Sequence, residues 1–140
     1  MEVRWFIVAL MALLSWGVWG VLGRYASQTL SWREVTALAA IGQMVASLSF
    51  IFLLRPELSF QTAHGMAALV AGAMGFIGAL LFYVALNLNP SSIVVVVTSL
   101  YPVVTALLSF LFLNETLGPR QLLAMALAMT ALALFSLDGI

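Results

Sequence analysis

Five apolar runs recur along the chain, and its few charged residues lie at their ends or in the segments outside them. They lie at about 5–22, 33–54, 64–87, 91–113 and 120–137. Each is near the roughly 20 residues that a helix needs to cross a hydrocarbon core about 30 Å thick. The punctuation between the runs is helical. Ser31-Trp32-Arg33-Glu34 has the pattern of a capping box, the serine bonding forward and the glutamate back. Arg55-Pro56 closes the second run, because the residue before a proline disfavours helical geometry. Asn89-Pro90-Ser91-Ser92 reads as the start of the fourth, with Asn89 able to cap and Pro90 at the first helical position. Pro119 opens the fifth in the same way. Val94 to Val97 would favour a strand in water, but span length and the flanking caps select helix. The predicted fold is all-α: a single-domain bundle of five transmembrane helices, its termini on opposite sides of the membrane. Leu88 and Asn89 alone separate the third span from the capped fourth, which predicts a tight antiparallel hairpin.

Composition settles the class. The chain is 64% hydrophobic and 7% charged, where a soluble domain carries roughly 25% charged residues. Formal net charge is zero, with no lysine and no basic patch for nucleic acid. Cysteine is absent, which excludes disulfides and thiolate metal sites. The first run is too long for a signal peptide, contains Trp16 and Trp19, and lacks a small-x-small cleavage site, so it is expected to remain as a helix. Five spans put Arg4, Arg55 and Arg120 on one side and Arg24 and Arg33 on the other. That near balance leaves only a slight N-inside preference. It also suits insertion in two orientations followed by antiparallel dimerisation.

The candidate chemistry lies inside the spans. Thr98, Tyr101, Thr105 and Ser109 follow helical spacing on one face of the fourth span, and Pro102 adjoins them near its midpoint. Proline has no N–H to offer the carbonyl of Thr98, which makes Pro102 a candidate hinge. Gln43 falls at the same depth in the second span, where an amide needs a partner: another helix or a ligand. Trp16 shares a face with Gly20 and Gly23, Trp19 lies beside it, and Tyr83 follows Gly72, Gly75 and Ala79 on the third span. The glycines suit close helix contact, and the aromatics suit either packing or a pocket wall. His64 lies at an interface, and Glu115 and Arg120 sit in the last loop, as a structural pair or loop anchor. No acid occurs in the interior of a span, so the usual intramembrane proton relay is missing.

Taken in order, Trp16-Gly17, Arg24, Tyr83-Val84-Ala85-Leu86, Asn89-Pro90-Ser91-Ser92, Tyr101-Pro102, and Asn114-Glu115 followed by Gln121 resemble the EamA-type domain of the drug/metabolite transporter superfamily. The resemblance covers nearly the whole chain. Larger members carry two tandem copies totalling about ten helices, and this chain is similar to one copy. Asn114 stands where the family commonly has glycine, and Ala124-Met125 replaces a usual glycine after Gln121. The resemblance implies a secondary transporter of the inner (plasma) membrane, half of a dimeric inverted-repeat assembly. It would move small organic metabolites, such as amino acids or drug-like amphiphiles, often outward. It implies a central cavity lined by spans one, three and four, and no cofactor. The shorter multidrug-resistance relatives carry a glutamate in the first helix that has no counterpart here. The expected substrate contacts are Trp16, Trp19, Gln43, Tyr83, Thr98, Tyr101 and Thr105. A neutral or zwitterionic substrate fits that set. A channel-like facilitator and a non-transporting subunit are the alternatives.

Overall fold

The computed structural model describes the backbone of residues 2–137 and the side chains of residues 4–135. It is all-helical: α1 (Glu2–Ala26), α2 (Trp32–Leu54), α3 (Ala63–Leu88), α4 (Ser92–Thr98), α5 (Tyr101–Phe112) and α6 (Pro119–Leu137). Four stretches are long and apolar enough to cross a membrane: Arg4–Ala26, Trp32–Leu54, Ala63–Leu88 and Ser92–Phe112. α6 has 19 residues, about 28 Å at about 1.5 Å per residue, and so reaches the length of a short span. The chain divides into two compact units, Met1–Pro90 and Ser91–Ile140.

In the first unit, α3 packs against both α2 and α1. The turn from α1 into α2 is closed locally. Ser27 returns both its backbone N–H and its hydroxyl to the Gly23 carbonyl, at 3.0 and 2.9 Å. The capping box forms as expected: Glu34 N–H donates to Ser31 Oγ, and Ser31 N–H donates to Glu34 Oε2 at 2.9 Å. Arg33 lies over the Trp32 ring, 5.2 Å from its centroid, a cation–π contact at the helix end. α2 stops at Leu54, and Arg55 turns into the left-handed region (φ 44°, ψ 53°) ahead of Pro56. α3 is capped by Thr62, whose hydroxyl accepts from the Gly65 N–H at 3.0 Å and donates to the Ser59 carbonyl. A side chain at Gly65 would run into that Ser59 carbonyl, so this turn requires glycine. His64, next to the cap, is exposed.

The α3 end differs from the expected pattern. Asn89 is the C-cap of α3 and is extended (φ −140°, ψ 96°), as a residue before proline should be. Pro90 therefore lies outside the next helix, and Ser91 occupies the N-cap of α4 without a side-chain cap bond. Asn89 ends one helix instead of starting another.

In the second unit, α4 packs against α6. The fourth span is broken, not merely bent. Two residues, Ser99 and Leu100, form a turn between α4 and α5. Their N–H groups reach back only to Val95, Val96 and Val97 carbonyls at 3.1–3.3 Å. Pro102 then sits in the first turn of α5, a position where its missing N–H costs nothing. Further on, α6 begins at Pro119, and Gln121 folds back so that its Oε1 accepts from the Gly118 N–H at 2.7 Å.

Asn114 is the second residue in the left-handed region (φ 55°), directly after the α5 C-cap. Asparagine and glycine tolerate that backbone and β-branched residues do not. Asparagine therefore suits the position, and glycine would suit it equally. Asn114→Gly is expected to leave thermal unfolding in detergent unchanged within about 0.5 kcal/mol, while Asn114→Val costs about 1–2 kcal/mol.

Candidate functional site

The sequence-predicted residues fall into two groups, one in each unit. In the first, the helical phase of α1 carries Trp19 and Gly23 toward the C-terminal end of α3. Trp19 stacks on Phe82 with ring centroids 4.9 Å apart and planes at 27°. Its ring lies 6.0 Å from that of Tyr83, and Phe82 and Tyr83 meet edge to face at 5.5 Å. Gly23 lies directly beneath the Tyr83 ring: a Cβ there would be 2.9 Å from Tyr83 Cε1. Trp19 and Tyr83 are thus brought together, and Tyr83 is closed off at 2% exposure.

Trp16, one turn earlier on α1, is 62% exposed. Gln43 is exposed midway along α2, where its carbonyl accepts from the Ser47 hydroxyl at 2.7 Å. Phe82 escaped the sequence reading. One phenylalanine within a continuous apolar run carries no periodic signal, and its only flag was adjacency to Tyr83.

The second group surrounds the break in the fourth span. Thr98 closes α4, and its hydroxyl bonds back to Val94 and Val95 carbonyls at 2.9 and 3.0 Å. The Ser99 hydroxyl does the same to Val96 at 2.6 Å. Tyr101 opens α5, and Thr105 donates to the Tyr101 carbonyl at 3.0 Å, which fixes these two on one face. Thr98, Tyr101, Pro102 and Thr105 are all exposed. Because the break lies between Thr98 and Tyr101, the stripe read from continuous helical spacing is interrupted.

The bonding pattern has a chemical consequence. Both threonine hydrogens are held by backbone carbonyls, which makes the hydroxyls bearable at membrane depth. What they offer outward is oxygen lone pairs, so they accept from a ligand that donates. Glu115 and Arg120 are exposed, and no ion pair joins them. The loop is tied instead through backbone: the Glu115 N–H donates to the Ser109 carbonyl at 3.4 Å.

Apolar helices of spanning length, a broken fourth span and the ordered motifs all agree with what a family comparison finds. The model of the EamA-like transporter family matches residues 3–137. The chain belongs to the EamA-like transporter family. It is therefore a multi-pass membrane protein from a family of small-molecule transporters. An uncharacterized protein of Methanocaldococcus jannaschii is 39% identical over 72 residues, covering 51% of this chain and 53% of that protein. The chain thus spans about half the length of that curated relative. No solved structure matches this EamA-like chain.

Proposed function

We propose that this EamA-like chain is a secondary transporter of small organic metabolites, such as amino acids or drug-like amphiphiles, working by alternating access in the inner membrane. The observation that carries the reading is the interruption of the fourth span at Ser99-Leu100, with exposed Thr98, Tyr101 and Thr105 around it. Irregular backbone at membrane depth is tolerated where it lines a hydrated cavity, and transporters place substrate at such discontinuous helices. Pro102 is the hinge, because the α5 end of the break has no N–H there to re-form a continuous helix.

Within the second unit the proposed substrate contacts are Thr98, Tyr101 and Thr105. Within the first they are Trp16, Gln43 and, from the aromatic cluster, Trp19 and Tyr83. The two threonines act as acceptors, and tyrosine and tryptophan supply flat apolar faces. No span interior carries an acid, Glu34 lying in the first turn of α2, so the reading assigns no proton relay and favours a neutral or zwitterionic ligand with an N–H or ammonium donor. The reading pairs this chain with a second copy in an antiparallel homodimer, because the near balance of its arginines suits insertion in either orientation. Glu115 and Arg120 serve the loop, not the substrate.

The test is uptake by proteoliposomes of amino acids and amphiphilic cations, with and without a pH gradient. Saturable uptake that a pH gradient does not accelerate is expected. Uptake that requires the gradient would overturn the uncoupled mechanism, and no uptake of any candidate by folded protein would favour a non-transporting subunit.

A further inference from the structure

Burial in the first unit is confined to one end. Among its described residues, every buried one lies in the last two turns of α1, the following turn, the first two turns of α2, or the C-terminal end of α3. Gly23, Ser27, Val35, Tyr83 and Leu86 belong to this set. From there the burial of α3 fades along the chain: Tyr83 is buried, Ala79 half-buried, and Gly75 and Gly72 are exposed. The last two, with Gly78, meet nothing within 4 Å of where a Cβ would stand, and neither does Gly17 on α1. α1 and α3 are therefore pinned at the end that carries the α1–α2 turn and released towards the other.

The pin has a specific fit. The Tyr83 ring occupies the place of a Gly23 side chain, with Cε1 at 2.9 Å and the hydroxyl at 3.7 Å from an ideal Cβ. Phe82 Cε1 lies at 3.5 Å from the same point, and Trp19 covers both rings. A contact of 2.9 Å cannot be met by a small adjustment of a rigid phenol ring held between two other rings. One methyl group at position 23 must push the ring, and with it the end of α3, away from α1.

We infer that Gly23 is a positioning residue: its missing side chain seats the Tyr83 ring, and this seat is the latch that closes the α1–α3 crevice at the α1–α2 turn end. The inference rests on the carrier reading for its meaning, since a latch at one end and separation at the other is what a single access state requires. It assigns Tyr83 a second role. Buried in this state, the ring reaches a ligand only when the latch opens. Ser27 sits behind the latch, buried and bonded to the Gly23 carbonyl. Its solvent access therefore reports whether the latch is closed.

The chain has no cysteine, so a single Ser27→Cys substitution gives a clean reporter for a water-soluble maleimide. With Gly23 native, labelling is expected to be slow. Gly23→Ala should accelerate it about tenfold, the consequence of overpacking a tight contact on an opening equilibrium. Tyr83→Leu should accelerate it similarly by removing the ring, whereas Tyr83→Phe, which keeps the ring, should leave the cysteine protected. Gly23→Ala added to Tyr83→Leu should give no further increase, because the two substitutions act on one contact. Protection unchanged in folded Gly23→Ala, or in Tyr83→Leu should the alanine variant not fold, would overturn the latch. So would an equal effect of Gly23→Ala with and without the ring. The labelling needs no substrate. An absence of flux through the native chain would overturn the carrier reading and leave the labelling result standing.

Discussion

Replacing Trp16, Tyr101 and Thr105 together by alanine is expected to lower substrate flux by about a hundredfold or more, with no loss of folded protein. Each contact is asked to supply about 1 kcal/mol: a threonine oxygen accepting one hydrogen bond, and two aromatic faces against an organic ligand. Three such terms, if they add, amount to about 3–4 kcal/mol of lost stabilisation, a factor of at least about 100. The structural cost is small because Trp16 is 62% and Tyr101 53% exposed, so truncation leaves no internal cavity. Initial rates in proteoliposomes, normalised to the monodisperse protein recovered, provide the measurement. Undiminished flux in the triple variant would remove these residues from the site.

The second large effect concerns stability. Trp19→Ala should destabilise the first unit by about 2–3 kcal/mol in detergent unfolding, while Phe52→Ala should change it by less than about 0.5 kcal/mol. Within a membrane the usual hydrophobic term is nearly absent, because lipid is as apolar as a protein core. What remains is packing, and there the two residues differ. Trp19 has one ring stacked on it at 4.9 Å and a second at 6.0 Å. Each aromatic pair is worth about 0.5–1.5 kcal/mol, and the void left by the indole adds to the loss. Phe52 is 76% exposed on α2 and surrenders little when truncated. Equal melting shifts for the two variants would mean that α1 is not held through its tryptophan.

How far the sequence could be read follows from the range of each interaction. Spans announced themselves because lipid demands long uncharged runs, and the Ser31–Glu34 capping box was readable because it needs only residues three apart. Other features depended on competition between neighbours. Asn89 could cap the helix after it or end the helix before it, and Pro90 decided the matter by forcing Asn89 into extended backbone. Pro102 presented the same ambiguity. A proline inside an apolar run reads as a kink, but a proline is equally at home in the first turn of a new helix. The back-bonded hydroxyls of Thr98 and Ser99 ease the break before it.

Of the candidate site, residue types were legible and partnerships were not. Trp19 and Tyr83 were recognisable as aromatics on small-residue faces. That the two meet, with Phe82 as the ring between α1 and α3, is a tertiary fact without a local signature. The seat of Tyr83 on Gly23 is of the same kind. The sequence marked Gly23 only as a residue that permits close approach, with nothing to say which helix approaches.

Counterflow distinguishes a chain that carries its ligand by alternating access from one that forms an open path. Proteoliposomes containing the native chain would be loaded with an unlabelled substrate found in the uptake screen, then diluted into a trace of the same compound in labelled form. A carrier predicts transient accumulation of label above its equilibrium level, at a rate that saturates with substrate. Label that only equilibrates, or unitary currents from the same protein in a planar bilayer, would contradict it.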